Sequence, residues 1–183
     1  MAEEKPENYG RPPMNKTVIL SGSCSLATNR QVTRYKESAP SIFIDTWKII
    51  HEPEYIEEIV RWTKQHLDDK YAPMLYATKT PEELSKSKEE FGDSNVGGMI
   101  ESFFGRLALR LMNAGVRNFI VAGGETAGKI VQSLKLKAFY IGPQIAPGVP
   151  WTKAADRDVY LALKSGNFGD DDFFRKAQEF FDD

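Results

Sequence analysis

Short apolar runs alternating with helix-patterned stretches constrain this chain more than anything else in it. Thr17–Leu20, Ser41–Asp45, Pro73–Ala77, Asn118–Ala122, Ala138–Ile141 and Val159–Leu163 are too short for helices and end at turn residues, so each predicts a buried strand. Between them lie helical patterns. One runs from a cap at Ser25 or Thr28 to Tyr35, with Leu26, Val32 and Tyr35 inward, and another enters at Pro53 and carries Ile56, Ile59, Val60 and Leu67. The strongest spans Asn95–Asn113, where Ile100, Phe103, Phe104, Leu107, Leu111 and Met112 recur at three- and four-residue steps before a stop at Gly115. Glu125–Leu134 and Asp170–Phe181 complete the set, the last capped by one of its leading aspartates. Parallel strands need long crossovers, which helices supply. The expected class is therefore α/β, a layered domain with a largely parallel sheet flanked by helices.

Lys79–Asp93 is charged and has no clear apolar face; it reads either as a short helix begun at Pro81 or as a mobile surface excursion. Residues 1–16 hold Pro6, Gly10, Pro12 and Pro13 without periodicity and read as a linker or tail, leaving 17–183 as the folded domain.

Three glycine-bearing loops follow strands late in the chain: Gly123–Gly128, Gly142–Trp151 and Leu163–Gly169. Without a Cβ, backbone N–H groups approach a ligand closely, and where such a loop opens a helix its free N–H groups favour phosphate. Phe119–Gly128 has that order of strand, tight turn and helix start. It also approaches the P-loop pattern through Gly123, Gly128 and Lys129, but Ile130 stands where a magnesium-binding hydroxyl belongs. A glycine turn that only joins strand to helix stays open beside both readings.

Other features weigh less. Ser21-Gly22-Ser23-Cys24-Ser25, with Thr28 and Gln31, offers hydroxyls to phosphate or ribose, or simply a helix cap. Cys24 has no histidine patterned with it and reads as a small turn residue rather than a nucleophile. Ile145–Trp151 is stiff and apolar, suited to walling a flat base or to ordinary packing, and Lys164 either neutralises phosphate or faces solvent. His51, His66 and Cys24 are too scattered for a zinc site, so any Mg2+ is expected to arrive with a nucleotide.

Bulk properties exclude some classes. A net charge of −2 argues against an electrostatic grip on nucleic acid, and no apolar run reaches the roughly 20 residues of a membrane span. The acidic, proline-containing start is no signal peptide, and a lone cysteine rules out internal disulfides. A soluble, cytoplasmic protein is expected.

Together SGSCS with Thr28 and Gln31, AGGETAG, IGPQIAPGVPW and LALKSGNFG resemble the C-terminal nucleotide-binding domain of the four-carbon acid sugar kinase family, from about Thr17 to Phe181. The resemblance implies an ATP-dependent kinase for threonate, erythronate or oxo-tetronate acids. It implies ATP contacts at Ser21 and Ser23, at Gly123, Gly124, Glu125 and Thr126, and at Gly166. Lys129 matches no characteristic family position and reads as a surface lysine. Nothing before Thr17 resembles the family's sugar-acid-binding N-terminal domain, so the acceptor site and the catalytic base are expected elsewhere, on a missing part or another chain. Little or no kinase activity is expected of this chain alone. A nucleotide-sensing or scaffold domain is the alternative of a different class, with a stand-alone P-loop-like NTPase behind it.

Overall fold

The computed structural model describes residues 16–92 and 95–181. The linker reading for 1–16 and the end of the charged stretch at Asp93 fall outside them, apart from Lys16. In chain order the elements are β1 (Thr17–Ser21), α1 (Leu26–Lys36), β2 (Ser41–Phe43), α2 (Thr46–His51), α3 (Tyr55–Gln65), β3 (Met74–Tyr76) and α4 (Pro81–Phe91). There follow α5 (Val96–Asn113), β4 (Asn118–Ala122), α6 (Gly124–Ser133), β5 (Phe139–Ala146), β6 (Val149–Ala154), β7 (Tyr160–Lys164) and α7 (Phe173–Glu179).

The strands make a seven-stranded sheet in the order β2-β3-β1-β4-β7-β6-β5. Pairs from β2 through β7 are parallel, while β6 and β5 run antiparallel at one edge, so the expected α/β class holds. Every residue of β1 and β4 is buried, which explains their uninterrupted apolar runs: both faces of a central strand are covered. Alternate side chains enter different cores. Val18 and Leu20 meet α3, α5 and α6 through Ile59, Leu107 and Ile130, whereas Ile19 meets α1 and α7 through Val32, Tyr35 and Phe174. Phe103, Phe104, Leu107 and Leu111 of α5 are almost fully buried, each contributing about 1.5–3 kcal/mol of transfer free energy. Gly105 lets α6 approach α5, because a Cβ there would stand 2.3 Å from Ser133 Oγ.

Several expectations need correction. Gly142–Trp151 is mostly strand: β5 and β6 form a hairpin with a two-residue turn at Pro147-Gly148, where Gly148 takes φ 77°. Of the two readings of Ile145–Trp151, Trp151 follows ordinary packing: it is fully buried and donates its indole N–H to Ala177 O at 3.0 Å. The predicted strand at Ser41–Asp45 stops at Phe43, and Asp45 instead caps α2, an element too short for its periodicity to show, by accepting the Trp47 N–H at 2.8 Å. Asp172 at the start of α7 makes no side-chain cap; Asp170 Oδ1 accepts its N–H at 3.2 Å. In the charged stretch α4 is a full helix fixed by a capping box: Thr80 Oγ1 accepts the Glu83 N–H, and the Glu83 carboxylate accepts the Thr80 N–H. It buries no residue.

Candidate functional site: a crevice where three loops meet

From β1 the chain turns to α1 on one face of the sheet, and from the adjacent β4 it turns to α6 on the other. Such a divergence opens a crevice beyond the carboxyl ends of the strands, where open α/β sheets place ligands. The loop after β7 closes its side. Backbone bonds hold the three loop starts together: Gly22 N and Ser23 N both donate to Ala122 O, at 3.0 and 3.1 Å, and Gly123 N donates to Lys164 O at 3.0 Å.

The glycines mostly serve this convergence rather than ligand access. A Cβ on Gly22 would stand 2.2 Å from Thr126 Oγ1, and one on Gly166 would stand 2.6 Å from Ser23 Oγ. Gly123 adopts φ 122° and lies against Ser23 N and Thr126 Oγ1. Gly124 differs, with open space where its Cβ would be.

The seven residues singled out from the sequence fall into distinct places. Ser21 is fully buried, its hydroxyl 2.7 Å from Thr78 Oγ1, so it supports the loop from beneath. Ser23 accepts the Ser25 N–H at 3.2 Å and gives its own proton to no described residue. Gly123 spends its N–H on Lys164. Helix α6 has no side-chain cap, so the N–H groups of Gly124, Glu125 and Thr126 find no partner among the described residues. The Thr126 hydroxyl, 3% exposed, also makes no bond among them. Gly166 turns its carbonyl into the protein, where Ser25 Oγ and Thr28 Oγ1 donate to it at 2.6 and 2.8 Å. Free donors thus cluster at the start of α6, with Ser23 beside them, which suits an anion.

A cavity of about 270 Å3 adjoins these donors. Gly22 and Thr126 form part of its wall, Ala77, Leu84, Val96 and Ile100 supply apolar surface, and Lys79 and Glu101 stand at it. Burial, reinforced by Glu125 and opposed by Lys129, holds the Glu101 carboxyl above its ordinary range. Lys129 lies with its stem against Gly105 of α5 and is not part of the cavity lining, although its charge reaches Glu101. Cys24 accepts the Lys79 N–H at 3.3 Å, as a turn residue would.

Sequence reasoning placed Lys164 either on phosphate or in solvent, and the structure gives neither. Its side chain is 1% exposed, with Nζ 3.0 Å from Thr28 Oγ1 and 2.9 Å from Gly166 O. The sequence sets Gln31 among hydroxyl-bearing residues without showing its role. It is fully buried and its amide donates to the carbonyls of Phe168, Gly169 and Asp170, pinning the last loop to α1.

Fold and crevice together define an α/β domain whose unpaired backbone donors gather at a switch point of its sheet. The chain belongs to the family described as the nucleotide-binding C-terminal domain, which matches residues 18–174. It is 49% identical over 178 residues to a 3-oxo-tetronate kinase of Haemophilus influenzae and 51% identical to one of Actinobacillus succinogenes; each match takes in 97% of this chain and 43% of the relative. A crystal structure of a Haemophilus influenzae protein superposes with a TM-score of 0.90 at 49% identity, again over 97% of this chain and 43% of that one. The chain thus spans less than half the length of these relatives. The family resemblance and the fold class read from the sequence both hold. No helix among the described residues is long and apolar enough to cross a membrane.

Proposed function

We propose that this chain is the ATP-holding part of a kinase that phosphorylates a four-carbon sugar acid of the 3-oxo-tetronate type. The observation that carries the proposal is the cluster of unpaired N–H groups at Gly124, Glu125 and Thr126, set where the loops after β1, β4 and β7 converge. Its support is the family and the names of the relatives.

The residues present fit the nucleotide. The three N–H groups and the hydroxyls of Ser23 and Thr126 would hold phosphate oxygens, while Ser21 and Gly166 shape the loops from behind. Ala77, Leu84, Val96 and Ile100 offer an apolar wall to the base. Mg2+ would come with the nucleotide, and Glu101 and Glu125, close enough for Glu125 to raise the Glu101 carboxyl, are the carboxylates that would meet it. Bound ATP supplies the phosphoryl group. Phosphoryl transfer depends mainly on positioning and charge neutralisation, and both are what this crevice can contribute. The acceptor and the base for its hydroxyl belong to a sugar-acid-binding domain outside the matched region, so the purified chain should transfer little or no phosphate by itself.

Calorimetric titration with ATP and magnesium, with GTP as control, tests the proposal. Saturable ATP binding should vanish in Thr126→Arg, which fills the crevice, and should survive in Lys129→Ala. Binding that survives Thr126→Arg, or that depends on Lys129, overturns the placement and returns the P-loop reading.

A further inference from the structure

Lys164 bonds to the loops after β4 and β7 and to the first turn of α1. Its backbone carbonyl accepts the Gly123 N–H at 3.0 Å, tying the end of β7 to the loop after β4. Its side chain shares the face of Tyr160 and Ala162, towards α1 and α7. There Nζ donates to Thr28 Oγ1 at 3.0 Å in the first turn of α1, and to Ser165 O and Gly166 O at 3.2 and 2.9 Å in the loop after β7. Ser25 Oγ and Thr28 Oγ1 converge on the same Gly166 carbonyl.

This ammonium has no carboxylate partner among the described residues. On α1 it faces Thr28, and on α7 the Phe173 ring, whose centroid lies 6.0 Å away. The nearby acids of the last loop are committed elsewhere: Asp170 to Lys176, Asp171 to Arg30 at 3.0 Å and Asp172 to Arg34 at 3.3 Å. A buried charge is costly unless something compensates it. Three neutral oxygens do so only in part, and burial pushes the Lys164 ammonium down to about 8.

We infer that Lys164 is a positioning residue for the nucleotide: its buried cation ties the loop after β7 to the first turn of α1 and supplies the fixed positive charge that an anionic ligand in the crevice completes. This rests on the proposed nucleotide site and adds to it a group that the ligand never touches. A charged Lys164 gains from a bound polyphosphate, and a neutral one does not.

The test is ATP and AMP affinity of wild type, Lys164→Met and Lys164→Arg across pH 7 to 9.5, with folding checked by thermal unfolding. ATP affinity of the wild type should fall about tenfold over that range, as expected when a change of about 1.4 kcal/mol accompanies loss of one charge. Lys164→Met should bind ATP about tenfold more weakly at pH 7 with no pH dependence, and should lose less for AMP, which carries less charge. Lys164→Arg should keep affinity and lose the pH dependence. Equal losses for ATP and AMP with the wild-type pH profile intact would reduce Lys164 to packing and overturn the inference. If the wild type binds neither nucleotide, the nucleotide site itself falls. The locking role is then decided by amide exchange at Phe168, whose N–H is held by Ser165 O, and at Thr28, whose N–H is held by Ser25 Oγ, which Lys164→Met must accelerate for it to stand.

Discussion

Replacing Gly22 by alanine tests whether the loops after β1 and β4 really share one packed boundary. The new Cβ would stand 2.2 Å from Thr126 Oγ1 and 3.3 Å from both Thr126 carbons, where ordinary contact begins at 3.4 Å. Thr126 cannot easily yield. It is β-branched, 3% exposed and fixed in the first turn of α6. Backbone strain is not at issue, because Gly22 lies outside the left-handed region. The cost is therefore overpacking, about 1–3 kcal/mol, which in a domain of this size lowers Tm by roughly 2–4 °C per kcal/mol. Thr126→Ala removes the obstructing hydroxyl and methyl together. A double-mutant cycle by urea denaturation should then show Gly22→Ala costing far less in the Thr126→Ala background, with a coupling of about 1–2 kcal/mol. Equal costs in the two backgrounds, or a single-mutant cost below about 0.5 kcal/mol, would refute the contact.

Two further outcomes follow from separate parts of the molecule. Lys164 titrates near 8 when folded and at its ordinary 10.5 when unfolded, so the unfolded chain binds the extra proton between those values. A penalty present below pH 8 is relieved as pH rises to 10.5. Measured against Lys164→Met, the wild type should gain on the order of 3 kcal/mol between pH 7.5 and 10.5 in denaturation experiments; a pH-independent difference would sink this. Thr80→Ala removes the side-chain half of the capping box, worth about 1 kcal/mol. Because α4 buries no residue, the loss should appear as faster amide exchange over residues 81–91 and leave the global unfolding midpoint unmoved. A matching drop in the midpoint would mean that α4 is part of the cooperative core.

Much of this architecture was legible because burial is written locally where a strand lies between covered faces. β1 and β4 read as unbroken apolar runs, and α5 declared its inner face through Phe103, Phe104, Leu107 and Leu111. Beyond Ile141 the hairpin did not read as strand, because Pro143, Pro147, Gly148 and Pro150 are turn residues by local preference. Pairing with β6 overrides that preference. The positions of the glycine loops were visible, but the reason for their glycines was not. Gly22 needs its bare Cα because of Thr126, a neighbour that only the β1–β4 pairing creates. The fate of Lys164 was hidden for the same reason, since Thr28 lies 136 residues away in sequence. A lysine at a strand end carries no local sign of being covered.

The edge strand β5 has a bearing on how the molecule behaves at high concentration. It exposes Tyr140 and Ile141, and an apolar strand with a free backbone row is a template on which another copy could add. Here the row is spoiled. Pro143 offers no N–H, and the spacing to β6 slips on both sides of Gln144, so donors and acceptors do not fall in an even ladder. The proline pattern that disguised this segment as a loop also makes it a poor seed for fibres, and the sheet ends where it should.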